Sequence, residues 1–280
     1  ELMKTSMNTF LNAMTFPDKT YYPISSRNPK DFLNLMRVYL DAVFHPLIYK
    51  QSEIFRQEGW HYELDDEGRA SRKGVVYNEM RGAFADADEL EENAVMRALF
   101  PDTTYRFVSG GDPEHIPELT YEQFLDYHRR FYSPSNAYVY LDGDVDIDAV
   151  LSILDSEYLR DAEPGERLAL PPLQKPVKAQ PQRVEFELPA EEDEHSRYRL
   201  AWGRVVGEIT DRERMTAMEL LCTVLCGTNQ SVLRREMLSA GLGEEVTMRV
   251  WDGCAQPFVK LEVRNISEDK LDAASEKLRE

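Results

Sequence analysis

The amino-acid sequence predicts an α+β fold made of two related α/β sandwich units with mainly antiparallel sheets. Helical and strand patterns occur in mixed order along the 280 residues, and several strands follow each other closely enough to pair as hairpins. A segment with five prolines and few large apolar residues separates two stretches whose elements come in a similar order. We therefore predict a first domain over residues 1–161, a linker over 162–182 and a second domain over 183–280.

The first domain begins with two predicted strands, Thr9–Phe16 and Lys19–Ser25, which a Pro-Asp turn joins. A helix follows, because Asn28 and Pro29 form a typical helix start and apolar residues recur at helical spacing until Pro46. Similar patterns predict the remaining elements: a short helix over 52–58, a strand over 60–64, helices over 89–100, 120–131 and 146–158, and a strand over 137–141.

Residues 73–84, KGVVYNEMRGAF, allow two interpretations. The β-branched pair Val75 and Val76 favours a strand, whereas Tyr77–Met80 would also begin a helix. We place Glu79 on a helix. Its residue type alone gives it little weight as a metal ligand, because it is one of 51 acidic residues.

The second domain is predicted to contain strands near 184–188 and over 198–205, helices from Asp211 and from about Gln230, and strands over 246–251 and 258–264. An amphipathic helix over 267–280 closes the sequence without a Gly or Pro terminator, and residue 1 is Glu. We interpret the chain as a fragment of a longer protein, with its first unit N-terminally incomplete.

Charge and cysteine content narrow the partners and the compartment. Lys and Arg number 33 against 51 Asp and Glu, so the net charge is −18, which disfavours nucleic acid and anionic lipid and attracts cationic partners. No segment approaches the roughly 18 apolar residues of a membrane helix. The three cysteines lack a disulfide spacing, which predicts a cytoplasmic location, with the mitochondrial matrix or another organelle as the alternative.

The histidines and cysteines offer no strong metal site. Neither HExxH nor HxxEH occurs, and the five histidines favour ordinary surface roles. Cys222 and Cys226 are four residues apart on a predicted helix and could meet a metal with Cys254, but packing as small hydrophobes is the better interpretation.

The acidic segments and the search for other catalytic motifs likewise indicate no strong functional site. We interpret the acidic segments 86–92 and 191–194 as solvent-exposed faces; the alternative is that they attract cationic substrates. No nucleophile elbow or phosphate-binding loop is present, and the turn at 109–113 is predicted to be structural.

Several stretches resemble the presequence-protease branch of the insulinase and pitrilysin family, the zinc metallopeptidases with an inverted HxxEH motif. The similarity covers most of residues 1–144 and includes the words QEGWHYEL, KGVVYNEM and FYSPSNAYVYLDGD. The matching stretches are Glu1–Ser26, Asp31–Ile48, Gln57–Leu64, Lys73–Phe84, Leu99–Phe124 and Phe131–Asp144. Beyond residue 184 the similarity is weaker and depends on SAGLG at Ser239–Gly243 and on the order of elements.

The resemblance implies particular site residues. In that family the HxxEH helix lies just upstream of the segment that begins this chain and supplies two zinc histidines and the general-base glutamate. The third zinc ligand is the glutamate of the NEM segment, which corresponds to Glu79. The family binds substrate as an added strand along its N-A-x-T sequence, which corresponds to Asn12, Ala13 and Thr15; backbone pairing of this kind gives affinity without strict sequence preference.

The resemblance also implies a function. The full-length protein is expected to be a zinc metalloendopeptidase that degrades short or unfolded peptides enclosed between two halves of the same polypeptide. An acidic interior would suit basic peptides. The fragment alone, without HxxEH and with no catalytic residue of its own, is expected to be inactive. The alternative is a non-catalytic scaffold or peptide-binding member of the same family.

Overall fold

The computed structural model describes residues 6–163, 165, 167–178 and 180–279. The chain forms two compact units: a first unit up to Arg81 together with Ser109–Leu170, and a second unit of Gly82–Val108 together with the residues from Pro171 onward. Both units combine helices with antiparallel strand pairs, which confirms the α+β class. The domain limits at 161 and 183 stay a prediction.

The first unit contains three short antiparallel pairs. Strands β1 (Asn8–Leu11) and β2 (Met14–Thr15) pair with β4 (Ile24–Ser26) and β3 (Thr20–Tyr21), respectively, so they form one interrupted hairpin. The backbone hydrogen bond from Asn12 N to Pro23 O, 3.2 Å, bridges the interruption. The hairpin confirms the two strands predicted at this end. A third pair joins β5 (His61–Leu64) to β6 (Ala70–Lys73), and the sequence analysis did not predict β6.

The helices of the first unit start where their caps predict. Asn28 Oδ1 accepts a hydrogen bond from Asp31 N at 3.0 Å, and Thr120 and Gln123 form the predicted capping box. The helices are α1 (Pro29–Phe44), α2 (Glu53–Glu58), α3 (Val75–Ala83), which crosses into the second unit at its last residues, α5 (Tyr121–Phe131) and α6 (Ile147–Ile153), which continues as a π-helical turn over Leu154–Leu159. Met36 of α1 packs with Val150, Ile153, Leu154 and Tyr158 in the core of this unit.

The second unit contains one three-stranded antiparallel sheet in the order β7 (Tyr198–Val205), β9 (Phe258–Ile266), β8 (Glu245–Trp251). Helix α4 (Ala87–Leu99) packs against β7, and the other helices are α7 (Arg212–Cys226), α8 (Val232–Ser239) and α9 (Leu271–Lys277). Met237, Val246, Val263 and Ile266, each 0% exposed, form the centre of the core. Apart from the strand predicted near 184–188, these elements confirm the predicted order in this half.

Two predicted strands are wrong. Residues 137–141 and 184–188 belong to no strand in the described part of the chain. Tyr138 and Tyr140 are 83% and 86% exposed, and no other described backbone hydrogen-bonds to residues 138–141. Alternation of apolar and polar residues shows that a segment is suited to a strand, but a strand forms only where a second backbone pairs with it.

Candidate functional site

Glu79 lies on helix α3, as predicted, and its carboxylate points away from the core. Tyr77 and Met80 are each 8% exposed and form the buried face of the helix, whereas Glu79 is exposed. Within the described residues the Glu79 side chain makes no hydrogen bond or ion pair. Both carboxylate oxygens are therefore available to a ligand, and carboxylate oxygen is one of the donors that zinc accepts in proteins.

The predicted substrate edge lies on the outer side of the β1–β2 strand. Asn12 N and Phe16 N donate to the opposite strand, at 3.2 and 2.8 Å. Because backbone groups alternate along an antiparallel strand, the N–H groups of Ala13 and Thr15 point outward. Ala13 N donates to the side-chain Oδ1 of Asn12 at 2.8 Å, and all three predicted residues are exposed. β1 and β2 each have one partner in the described sheets, so this side is an edge.

The structure places Glu79 and the three edge residues in the first unit but joins them by no hydrogen bond or ion pair within the described ranges. Over the same residues, no group of three or more His, Cys, Asp or Glu side chains is close enough to hold a metal. Glu79 therefore fits a zinc site as a single donor.

Each histidine makes local contacts. His128 is the most constrained: its Nε2 donates to the carbonyl oxygen of Val43 at 2.8 Å, so its Nδ1 accepts from the hydroxyl of Tyr49, also at 2.8 Å. Burial lowers the pKa of His128, although the bond to Val43 opposes the shift. The remaining histidines lie beside Asp41 (His45), the Arg56 carbonyl (His61), Glu118 (His115) and Glu268 (His195).

The aromatic cluster around His128 was missed by the sequence analysis. Its ring stacks on Tyr132 with centroids 4.7 Å apart, and the Tyr132 hydroxyl lies 3.1 Å from that of Tyr22. The spacing of His128 and Tyr132, four residues apart on a helix, is the signal that could have indicated it. A cavity of about 220 Å³ near Tyr132, lined also by Tyr158 and Asp161, contains none of the four predicted site residues.

The cysteines pack as predicted. Cys222, Cys226 and Cys254 are buried and belong to three different apolar clusters. Burial raises the pKa of Cys226 to about 11, so its thiol is a poor nucleophile near neutral pH. Their contribution is hydrophobic packing.

The acidic segment around α4 is largely used for local structure. Asp86 Oδ1 accepts hydrogen bonds from Asp88 N at 2.8 Å and Glu89 N at 3.2 Å and so caps the helix. Asp88 pairs with Arg199 and Arg264 of the sheet. Asp86 and Asp88 therefore have local partners within the second unit.

A buried ion cluster lies between α4 and β9, and the sequence analysis did not predict it. The Lys260 side chain is 4% exposed, and its Nζ lies 2.7 Å from Glu91 Oε1 and 3.3 Å from Glu262 Oε2. Burial raises the pKa of Glu91 despite the lysine. Burial also opposes ionisation of Glu262, but the hydrogen bond from Arg264 and the charge of Lys260 outweigh it and hold the pKa of Glu262 below its usual value.

Comparison with protein families and curated sequences gives a consistent set of matches. The family model described as "Peptidase M16 inactive domain" matches residues 118–255. Protein HypA of Clostridium perfringens is 42% identical over 249 residues, covering 88% of this chain and 26% of that protein. Presequence protease 1, chloroplastic/mitochondrial, of Arabidopsis thaliana is 40% identical over 283 residues, covering 99% of this chain and 26% of that protein. The chain thus spans about a quarter of these relatives.

Solved structures share the fold at low sequence identity. The peptidase M16 inactive domain from Pseudomonas fluorescens superimposes with a TM-score of 0.69 at 17% identity, covering 96% of this chain and 61% of that chain. Pitrilysin superimposes with a TM-score of 0.61 at 16% identity, covering 99% of this chain and 28% of that chain. No helix in the described ranges has both the length and the apolar character required to cross a membrane.

Proposed function

Because this chain belongs to the peptidase M16 family, in its presequence-protease branch, we propose that it forms part of a zinc metalloendopeptidase that hydrolyses short or unfolded peptides. The observation that carries the proposal is the Glu79 carboxylate, which is exposed and without a described partner on a helix whose opposite face is buried. A carboxylate held in this way by its helix is suited to act as one ligand of a metal.

Bound zinc would polarise the scissile carbonyl and lower the pKa of a water molecule. The contribution of this chain is to present the Glu79 oxygen from a packed helix and to offer an open strand edge for the peptide. The outward N–H and C=O groups of Ala13 and Thr15 would pair with the peptide backbone. The hydrogen bond from Ala13 N to the Asn12 side chain would break, so that this N–H could bind the peptide. Backbone pairing leaves side-chain preference to other surfaces.

The net charge of −18 favours basic peptides as substrates. The three cysteines have no disulfide spacing in the sequence, which fits a reducing compartment, and we propose the cytoplasm or an organelle matrix.

The metal assignment is tested by Glu79→Gln in the full-length protein. We expect loss of peptidase activity and of stoichiometric zinc, with an unchanged circular dichroism spectrum, because one of three protein ligands loses its charge. Glu58→Gln is the matched control, since Glu58 is also an exposed helical glutamate. Zinc content and turnover equal to those of the control would refute the assignment.

The edge assignment is tested by Thr15→Pro, which removes the outward N–H of β2. We expect KM to rise with little change in kcat, because backbone pairing binds the ground state and the transition state alike. Thr15→Val keeps the N–H and removes only the hydroxyl, so it should retain the original KM. Equal KM values for the two variants would contradict the edge assignment.

A second candidate is a non-catalytic peptide-binding or scaffold subunit, and the match to an inactive-domain family model favours it. The two candidates differ in the gene: an HxxEH motif just upstream of residue 1 in the parent sequence supports the enzyme, and its absence supports the subunit.

A further inference from the structure

Helix α3 has a defined rotation about its axis because two of its side chains are buried. Tyr77 and Met80 face inward, which turns Glu79 outward. Successive helix positions are about 100° apart, so a small rotation of α3 would move the Glu79 carboxylate by ångströms. Residues that hold Met80 in place therefore also determine where Glu79 points.

The loop that begins at Ser109 lies directly on Met80. A Cβ atom built on Gly110 would overlap the Met80 sulfur and would lie 3.2 Å from both Met80 Cγ and Cε. A side chain at position 110 would therefore force the Met80 side chain to shift. The next residue, Gly111, has a φ of 92°, a backbone conformation that favours glycine.

The beginning of the same helix is held by a second close approach. Gly74 precedes α3 with a φ of 155°, and its carbonyl accepts the hydrogen bond from Asn78 N at 2.9 Å. A Cβ atom at Gly74 would lie 2.9 Å from Trp60 Cα and 2.7 Å from the Gly59 carbonyl carbon. Gly74, at the start of α3, thus lies against the backbone of Gly59 and Trp60, and Met80 lies against the backbone of Gly110.

We propose that Gly110 is a positioning residue for Glu79: its backbone holds Met80, and Met80 holds the rotation of α3 that presents the carboxylate to the metal. Gly110 touches neither substrate nor metal in this proposal. The inference rests on the proposed role of Glu79 as a zinc ligand and adds to it the loop that determines where that ligand points.

The test uses the full-length protein with Gly110→Ala, Met80→Ala and the double variant. Gly82→Ala is the matched control, because Gly82 lies on α3 and an added Cβ there meets nothing within 4 Å. The measurements are the zinc dissociation constant by chelator competition, kcat and KM, and amide hydrogen exchange along α3 in the metal-free protein. The last readout is independent of the loaded enzyme.

We expect Gly110→Ala to weaken zinc binding about 10-fold, as removal of residues that orient metal ligands typically does. Turnover should fall while KM stays constant, and α3 amides should exchange faster than in Gly82→Ala. Because Gly110 acts through Met80, the loss in the double variant should be smaller than the sum of the two single losses. A folded Gly110→Ala protein that binds zinc like the control, or additive losses, would overturn the proposal.

Met80→Ala keeps the proposal testable if Gly110→Ala does not fold, because it removes the contact without adding an atom. Unchanged zinc affinity in Met80→Ala would overturn the positioning role. Glu79→Gln separates the two levels of the argument. If Glu79→Gln retains zinc, the ligand assignment fails; if it loses zinc while the Gly110 and Met80 variants bind normally, only the positioning role fails.

Discussion

The two units of this chain use their polar groups in opposite ways. In the first unit, Glu79 and the edge residues Ala13 and Thr15 are exposed, and the sheets are pairs of strands with open sides. In the second unit, a continuous three-stranded sheet carries the buried side chains of Lys260 and Glu262, and Lys260 pairs with both Glu262 and Glu91. The difference shows that the named polar groups of the first unit face solvent, whereas those of the second unit are paired in its interior.

The largest expected effect concerns the buried ion cluster. Lys260→Met removes the cation that pairs with Glu91 and one of the two that pair with Glu262, and we expect the free energy of unfolding to fall by about 3–5 kcal/mol. The measurement is urea denaturation followed by tryptophan fluorescence in a Trp60→Phe background. The remaining tryptophans, Trp202 and Trp251, both report on the second unit.

Lys277→Met is the control for this substitution. Lys277 pairs with Glu236 at 3.5 Å, and its side chain is 37% exposed, so the loss should be about 0–1 kcal/mol. Equal losses for the two lysine variants would remove the contrast between the units.

The next effect concerns the helix that covers the sheet of the second unit. A Cβ at Gly203 of β7 would lie 2.9 Å from both Leu99 Cδ1 and Val95 Cγ1 of α4. We expect Gly203→Ala to cost about 1–3 kcal/mol, measured by the same denaturation. Gly253→Ala, where an added Cβ meets nothing within 4 Å, should cost little. If Gly203→Ala left the free energy of unfolding unchanged, α4 would be able to shift away from β7 at little cost, and the prediction would be wrong.

A smaller effect is the acid sensitivity of the first unit. Burial lowers the pKa of His128 below the ordinary value of about 6.5, so the unfolded chain binds a proton that the folded chain resists. Stability should therefore be constant above about pH 6.5 and fall as the pH drops from there through the folded pKa. His128→Gln, which does not titrate, should lose this dependence when unfolding of the first unit is followed by Trp60 fluorescence in a Trp202→Phe, Trp251→Phe background. An unaltered pH profile in the variant would contradict the assignment.

The smallest effect has the opposite sign and lies in the second unit. The hydrogen bond from His195 to Glu268, 2.8 Å long, raises the pKa of His195. Its contribution should be complete below about pH 6.5 and should disappear as the pH rises through the folded pKa. Glu268→Gln should return the His195 pKa toward the ordinary value in an NMR titration. An unchanged titration would exclude this pair as the cause.

The predictions that were confirmed rest on signals within a few residues. The Asn28 cap, the Thr120 capping box and the recurring apolar positions between them located α1 and α5. The ambiguous segment 73–84 forms a strand residue at Lys73 and then helix α3, because Tyr77 and Met80 can then share one buried face. The metal role of Glu79 and the substrate role of Asn12 came from the family resemblance and stay predictions.

The predictions that failed required knowledge of a distant partner. Residues 137–141 and 184–188 have the composition of strands, but no described backbone pairs with them. Lys260 and Glu91 are 169 positions apart, and neither residue signals in isolation that it is buried with the other. The acidic segment 86–92 was therefore interpreted as a solvent-exposed face, although its residue Glu91 belongs to the buried ion cluster.

By itself, the sequence determined the helix starts, the hairpin, the burial of the cysteines and the family. Each of these follows from short-range geometry, from the spacing of apolar residues or from sequence segments that match the family. The tertiary structure alone decided that Glu91 has a buried cation, that Ala13 and Thr15 face an open edge and that Gly110 lies on Met80. The physical reason is that hydrogen bonds, ion pairs and steric contacts depend on distances in space, and residues far apart in the chain approach each other only through the fold.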